Sequence, residues 1–110
     1  MRAFMAEIPI AIPEARAFRR DIINEKSARG HWVRTGIKGQ ADVYVLVRGG
    51  RHIEVETKAA KGVLADEQKA WRAYCIDFGI PYLMPRAKAG EHPAATIERW
   101  IGELRCLISL

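Results

Sequence analysis

Acidic residues and a lysine alternate in the segment 54–58 (EVETK), and another acid, Asp42, precedes a run of alternating valines upstream. Side chains two positions apart in an extended chain share one face, so Glu54, Glu56 and Lys58 point the same way. Carboxylate oxygens bind hard divalent cations such as Mg²⁺, and a bound cation activates water and neutralises charge on a phosphate. A lysine beside such a cation stabilises developing negative charge. These are the groups that metal-dependent hydrolysis of a phosphodiester requires.

The hairpin between the acids decides whether they meet. Alternating apolar residues predict two strands joined by a two-residue glycine turn: 41–48, Gly49-Gly50 and 52–58. With the two glycines as the turn, Asp42 lies opposite Thr57 and therefore on the other face of the sheet from Glu56. We therefore expect a bulge or a longer turn that shifts the register by one residue and brings the two carboxylates together.

The remaining pattern predicts a small α/β sandwich with the element order α-β-β-β-α-β-α. In chain order, the predicted elements are a helix over 13–30, a strand over 31–35, the two hairpin strands, a helix over 66–78, a strand over 81–85 and a helix from Pro93. Pro13 suits the first position of a helix, and Gly30 suits its end. The first dozen residues contain Pro9 and Pro13 and are expected to form a packed arm or an irregular lead-in.

The length and composition indicate one globular domain spanning residues 1–110. Hydrophobic residues make up 49% of the chain, and the net charge of +5 favours a polyanionic partner such as nucleic acid. We find neither a signal peptide nor an apolar run long enough to span a bilayer, so we expect no membrane partner. Cys75 and Cys106 lack CxxC spacing, which favours structural roles and a reduced, intracellular location in the cytoplasm.

Four short motifs occur in a fixed order along the chain: Gly39-Gln40-Ala41-Asp42, Glu56-Thr57-Lys58, Lys61-Gly62 and Glu67-Gln68. Together they resemble the VRR-NUC family, the virus-type replication-repair nucleases of the PD-(D/E)xK superfamily. The resemblance covers about residues 13–86 and implies a minimal restriction-endonuclease-like α/β sandwich. Two positions depart from the family pattern, since Ala41 stands where proline is usual and Ala65 where serine or threonine is usual. Neither change removes a chemical group from the expected site.

The resemblance also implies a role for individual residues. Asp42 and Glu56 would be ligands of Mg²⁺ or Mn²⁺, with the backbone carbonyl of Thr57 as a further ligand. Lys58 would be the catalytic lysine, which holds the attacking water. Gln68 would be an accessory residue of the active site near the water or the phosphate.

Two carboxylates leave alternatives open. The family carries one metal-binding acid on its first helix, and Glu14 fits that position best, with Asp21 and Glu25 as the other candidates. Glu14 is equally explained as a carboxylate that the first turn of a helix favours. Glu54 is either a supporting partner of the site, a ligand of a second cation, or an exposed side chain.

The implied activity is divalent-metal-dependent cleavage of DNA by an endonuclease, with branched or junction DNA as the substrate class of stand-alone family members. Such members act as homodimers and come from phages or prophages, and the apolar face of the last helix offers a surface for a second copy. A non-catalytic DNA-binding or assembly module that retains the fold is the alternative, and RNA is an alternative substrate. We assign all three histidines to the surface or to packing, and the tryptophans to the core: His31, His52, His92, Trp32, Trp71 and Trp100.

Overall fold

A four-stranded sheet carries helices on both faces in the computed structural model, which describes residues 1–20, 24–34 and 37–110, with residues 24, 25 and 32–34 described by their backbone alone. The elements are α1 (Arg2–Ala11), β1 (Ala15–Arg19), β2 (Asn24–Lys26), β3 (Trp32–Arg34), β4 (Val43–Val47), β5 (Arg51–Val55), α2 (Asp66–Asp77), β6 (Tyr82–Leu83) and α3 (Pro93–Ile108). The sheet has the order β1-β4-β5-β6, and β2 pairs with β3 in a separate two-stranded ribbon. The expectation of a mixed α/β fold is confirmed at this level.

The hydrophobic core lies between one face of the sheet and the helices α1 and α3. The sheet contributes alternate residues of β4 and β5, and the helices contribute residues spaced three or four apart, as their periods require. The buried members are Val43, Val45, Val47, Ile53, Val55, Phe4, Ile8, Trp100, Ile101 and Leu104. Phe4 meets Trp100 edge to face, with ring centroids 5.3 Å apart. This face anchors the sheet and leaves its opposite face for the candidate site.

The predicted helix over 13–30 is wrong, because strand β1 occupies its first third and the ribbon strand β2 lies further along. Ala15 is buried and Ala17 is half-buried, an alternation that fits a strand paired antiparallel with β4. The lead-in of a dozen residues is instead the helix α1, with Pro9 in its last turn. A proline near a helix end removes one hydrogen bond, and burial of Phe4 and Ile8 compensates for that loss.

The predicted one-residue shift of the β4–β5 hairpin is confirmed. Val43 pairs with Val55 and Val45 with Ile53, so position 42 continues the ladder opposite position 56. The turn holds three residues, of which Gly49 has φ of 95° and Gly50 φ of 79°, values that favour glycine. The longer turn places the three valines of β4 and the two apolar residues of β5 on the core face, whereas Leu46 is exposed on the other face.

The second half of the chain follows the predicted order. Helix α2 ends one residue before Phe78, helix α3 begins at Pro93, and β6 forms an edge of the sheet parallel to β5. Backbone pairing continues past β5, because Lys58 bridges to Arg86. In the part of the chain that the structure describes, no helix is long and apolar enough to cross a bilayer.

Candidate catalytic site

The candidate site lies where β4 begins and β5 ends, on the sheet face opposite the core. The Asp42 backbone N–H donates to Glu56 Oε2 at 3.0 Å, which ties the two predicted ligands together. Glu56 is almost fully buried, at 2% exposure, whereas Asp42 is exposed. One carboxylate is therefore fixed inside the protein, and the other stands at the entrance to the same site.

Gln68 and Lys58 complete a closed network around Glu56. The Gln68 amide nitrogen donates to Glu56 Oε1 at 2.9 Å, and Lys58 Nζ donates to the Gln68 amide oxygen at 3.1 Å. Lys58 Nζ also lies 3.5 Å from Glu56 Oε1, and its side chain is only 13% exposed. Three predicted residues, two on the β5 segment and one on α2, are therefore in mutual contact.

The Thr57 carbonyl is directed toward the Asp42 side of the site. Backbone N–H groups of Glu54, Glu56 and Lys58 donate to carbonyls of the β6 segment. Backbone groups of successive residues in a strand point to opposite neighbours, so the Thr57 carbonyl points toward β4. An oxygen of this kind is a suitable ligand for a hard cation beside the two carboxylates.

The donor set fits a hard divalent cation such as Mg²⁺ or Mn²⁺. Asp42 and Glu56 supply carboxylate oxygens and Thr57 a carbonyl oxygen, which are the ligand types such cations prefer. Within the described residues, no group of three acidic, histidine or cysteine side chains gathers at any point. A cation held here would therefore take two protein carboxylates and complete its coordination with the carbonyl, water and substrate oxygens.

The Glu56 carboxyl has a raised pKa. Burial is the main cause, and the negative charge of Asp42 adds to it, although the hydrogen bond from the Asp42 backbone and the Lys58 ammonium act in the opposite direction. Ionised Glu56 is therefore costly in the folded chain when no cation is present. A bound cation would offset this cost by pairing with the charged form.

We predict that Glu56→Gln changes how stability depends on pH. In the wild type the unfolded chain ionises Glu56 near 4.5 while the folded chain retains the proton to higher pH. The folded state then binds more protons, so wild-type stability should fall relative to Glu56→Gln as pH rises above 4.5 through the raised folded pKa. Urea unfolding of both proteins between pH 4 and 8 in EDTA would measure this, and a constant difference across that range would contradict it.

Glu14 does not join the site. It precedes β1, and its carbonyl accepts a hydrogen bond of 2.8 Å from the Arg48 backbone at the hairpin turn. Positions 42 and 48 lie at opposite ends of β4, about 20 Å apart at about 3.4 Å per residue. The expectation that Glu14 is a helix-borne metal ligand is therefore wrong, because Glu14 is not on a helix and lies at the far end of β4 from Asp42. Asp21 lies outside the described residues, and Glu25 belongs to β2, where only its backbone is described.

Glu54 forms a second buried centre, two residues from Glu56 on the same face. It is 1% exposed and accepts two hydrogen bonds from the Arg20 guanidinium, at 2.6 and 2.9 Å. Trp71 Nε1 donates to Glu54 Oε1 at 2.9 Å, and His52 Nε2 lies 2.5 Å from Glu54 Oε2. The Arg20 guanidinium therefore already neutralises the Glu54 carboxylate, which makes Glu54 a supporting residue rather than a cation ligand, and its burial shows that it is not an exposed side chain.

Arg20 also positions the segment that carries Asp42. Its guanidinium donates to the Ala41 carbonyl at 2.9 Å, and its backbone N–H donates to the Asp42 carbonyl at 2.7 Å. The pKa of Glu54 is lowered, because hydrogen bonds and charge from Arg20, with further hydrogen bonds from His52 and Trp71, together outweigh the large opposing effect of burial. The sequence analysis did not identify Arg20, since no local spacing relates it to residues 34 positions away.

No protein-family model matches this chain, and neither a curated protein nor a solved structure is significantly similar to it.

The glycine of the Gly-x-x-Asp motif has a structural role. Gly39 has φ of 93°, and a Cβ at this position would collide with the Glu67 backbone in the first turn of α2. Lys38 next to it pairs with the Glu67 carboxylate at 3.1 Å. Close approach of the turn before β4 to α2 therefore helps to hold Gln68 over Glu56.

The start of α2 lacks one stabilising group. Gln68 Oε1 accepts from the Ala65 backbone N–H at 2.8 Å, which is one half of a capping box, but an alanine side chain cannot supply the other half. Ala65 has φ of −68° and ψ of 165°, a conformation suited to an N-cap residue.

Ala65→Ser is therefore predicted to stabilise the protein by about 0.5–1 kcal/mol. Thermal unfolding of wild type and variant would measure the gain, with Ala65→Val as a control because valine adds bulk without an acceptor. An equal melting temperature for all three proteins would contradict the prediction.

Proposed function

We propose that this protein is a divalent-metal-dependent DNA endonuclease that hydrolyses phosphodiester bonds. The observation that carries the proposal is that buried Glu56 contacts both the Lys58 ammonium and the backbone N–H of Asp42, so that residues of two neighbouring strands come together. A buried carboxylate, an exposed carboxylate and a lysine ammonium are the groups that this chemistry needs, and each was expected from its residue type and position.

A divalent cation bound here would activate a water molecule and neutralise charge on the scissile phosphate. Asp42 and Glu56 would hold it, and the Thr57 carbonyl would complete the protein's share of the ligands. Lys58 would hold the attacking water and stabilise charge on the phosphate. Gln68 would orient both Lys58 and Glu56, because its amide contacts each of them.

Nucleic acid is the polyanion that suits the surroundings of the site. The chain carries a net charge of +5 although its two buried glutamates count against that total. Arg86 donates to the carbonyls of Ala59 and Gly62 and thereby shapes the exposed loop that bears Lys61. Lys61, on this loop three residues after Lys58, is well placed for contacts with flanking phosphates. Branched DNA as substrate and a phage or prophage origin follow from the VRR-NUC resemblance and form part of the same proposal.

A non-catalytic DNA-binding module is the second candidate, and one observation favours it. Both Glu56 oxygens already accept hydrogen bonds, from the Asp42 backbone and from Gln68, so the network is satisfied without a cation. Burial of Glu56 favours the nuclease instead. Burying an ionisable carboxyl costs stability, and a module that only binds DNA gains nothing from that carboxyl.

Self-association into a homodimer is part of the proposal, but the most apolar face of α3 does not supply its surface. Trp100, Ile101 and Leu104 on that helix pack into the chain's own core. Light scattering at tens of micromolar protein tests the dimer, and a monomeric mass would contradict it.

Plasmid cleavage with Mg²⁺ or Mn²⁺ tests the proposed activity, with linear and branched oligonucleotides of DNA and RNA as further substrates. We expect cleavage by the wild type that EDTA abolishes, and a loss of about a hundredfold or more in Lys58→Ala, because the ammonium that offsets developing charge is removed. Arg48→Ala is the matched control, since it also removes one positive charge but is exposed at the opposite end of β4 from Asp42. Equal cutting by wild type and Lys58→Ala would show that a contaminant is responsible.

A further inference from the structure

Aromatic rings form two stacked rows beside the candidate site. On the sheet, Phe18, Tyr44 and His52 stack across three neighbouring strands, with successive centroids 5.3 Å apart. Arg20 lies over the Tyr44 ring at 5.0 Å. On this face of the sheet the row is not covered, and Phe18 is 42% exposed. Rings that stack in the open offer their faces or edges to a ligand rather than to a core.

The second row runs along α2. Trp71 stacks on Tyr74 at 5.1 Å, and Tyr74 stacks on Phe78 at 4.3 Å. Tyr74 is 44% exposed and Phe78 64% exposed, so this side of α2 is an aromatic surface rather than a packed stripe. The sequence analysis assigned Trp71 to the core, and that assignment is wrong, because its ring stands half-buried between helix and sheet.

Glu54 joins the two rows at their inner ends. His52, the last ring of the sheet row, and Trp71, the first ring of the helix row, each contact one of its carboxylate oxygens. A pocket of about 450 Å³ opens between the rows and is lined by Arg20, His52, Glu54, Trp71 and Tyr74 among others. Its volume falls within the range of pockets that hold small organic groups.

We propose that this pocket and its two ring rows bind unpaired bases of single-stranded DNA next to the cleavage site. The choice of DNA rests on the proposed nuclease function. Bases stack on aromatic faces without regard to sequence, and a single strand presents them free of pairing. Glu54 and Glu56 lie two residues apart on one strand face, about 7 Å. That spacing is close to one nucleotide, so a strand whose phosphate reaches Glu56 would bring a neighbouring base to the pocket.

Charge around the rows suits this occupant better than a second copy of the chain. Four exposed basic side chains lie on β1, on α2 and in the turn before β4, where phosphates of a stacked strand would run: Arg16, Lys69, Arg72 and Lys38, of which Lys38 pairs with Glu67. A second copy would bring the same four cations into the interface and add repulsion. Interleaved aromatic and basic side chains are typical of proteins that bind single strands.

Equilibrium binding in EDTA tests the proposal without any cleavage. The probe is a fluorescent 20-nucleotide thymidine strand, compared with an abasic strand of equal length that keeps every phosphate. We expect the wild type to bind the abasic strand roughly tenfold more weakly, and Tyr74→Leu to lose roughly tenfold on the thymidine strand. Tyr74→Leu should lose little further on the abasic strand, because the same contact is already absent. Phe18→Leu tests the sheet row in the same way.

Ile76→Ala is the matched control, since Ile76 is 63% exposed on the same helix and lines neither row. It should bind within about twofold of the wild type. Equal affinity of the wild type for thymidine and abasic strands would overturn the proposal, and so would unchanged binding in both leucine variants. Altered self-association with unchanged DNA binding would overturn it in favour of a second copy. Base-dependent binding without cation-dependent cleavage would refute the nuclease activity while leaving this pocket in place.

Discussion

Asp42→Asn is expected to reduce cation-dependent DNA cleavage by at least about a thousandfold, equivalent to about 4 kcal/mol of transition-state stabilisation. Asparagine keeps the size of the side chain and one oxygen but removes the charge that pairs with a divalent cation. Asp42 is exposed, and the hydrogen bond it makes to Glu56 comes from its backbone N–H, which the substitution preserves. The variant should therefore fold normally and bind DNA in EDTA about as well as the wild type, or better once a negative charge is gone.

The measurement is single-turnover cleavage across a range of Mg²⁺ and Mn²⁺ concentrations, with circular dichroism as a check on folding. Glu14→Gln is the matched control, because Glu14 is an exposed carboxylate at the opposite end of the same pair of strands. We expect its cleavage rate to stay within about twofold of the wild type. Equal losses in the two variants would point to a general charge effect and would remove the case for Asp42 as a ligand. Unfolding of Asp42→Asn would show a structural role instead.

The hydrophobic pattern of the two strands predicts the register of the β4–β5 hairpin more firmly than the glycine pair of its turn does. Val43, Val45 and Val47 occupy odd positions, and so do Ile53 and Val55. Only a register that pairs odd with odd positions puts all of them on one face, and the observed ladder is of this kind. The glycine pair suggested a two-residue turn, but burial of five apolar side chains outweighs the preference of a turn type. The meeting of Asp42 and Glu56 therefore follows from the hydrophobic pattern.

The first thirty residues show where such inference fails. Phe4, Ile8 and Ile12 recur at a spacing of four and are buried, the first two on α1 and Ile12 directly after its end, yet the nearby prolines favoured an irregular segment. Phe18 and its neighbours have a spacing compatible with a helix, but β1 gains a full ladder by pairing with β4. The free energy that local helix propensity contributes is small compared with that of pairing a whole strand. The sequence around Phe18 does not reveal that β4 is available as a partner.

The support around Glu54 was also out of reach of sequence patterns. Arg20 directly follows β1, whereas His52 lies on β5 and Trp71 on α2, and the three residues meet only because these elements pack around one carboxylate. A glutamate between an isoleucine and a valine on a strand is equally typical of a solvated face. Burial distinguishes the two cases, and burial depends on where α2 lies. Asp42 and Glu56 could be paired from the sequence because each stands at the end of an alternating apolar run, whereas the residues that support Glu54 are brought to it only by the fold.

Glu54→Ala is expected to destabilise the protein by about 3–5 kcal/mol, because it leaves the Arg20 guanidinium without its buried counter-charge. Arg20 is only 17% exposed, so water does not readily replace the lost carboxylate. Trp71 would also lose its hydrogen-bond acceptor, and β1, β5 and α2 would lose their common contact. Urea unfolding at pH 7 measures the effect. Glu67→Ala is the control, since the Glu67–Lys38 pair is exposed to solvent and is expected to contribute little to stability.

Two further measurements separate a buried ion pair from simple loss of packing. The double variant Arg20→Ala with Glu54→Ala should be more stable than the sum of the single losses predicts, because no unpaired charge is left behind. The pH dependence has a definite direction. Since the folded pKa of Glu54 is lowered, its contribution is present above 4.5 and should be lost as pH falls through the folded pKa. Two results would together show that Glu54 stabilises the fold by its volume alone. One is that the losses in stability of the two single variants add up in the double variant. The other is that the stability difference between wild type and Glu54→Gln does not change between pH 7 and pH 2. In that case Glu54 would not be the group that fixes the Arg20 guanidinium, and the bonds from Arg20 to the Ala41 and Asp42 carbonyls would hold the Asp42 segment independently of Glu54.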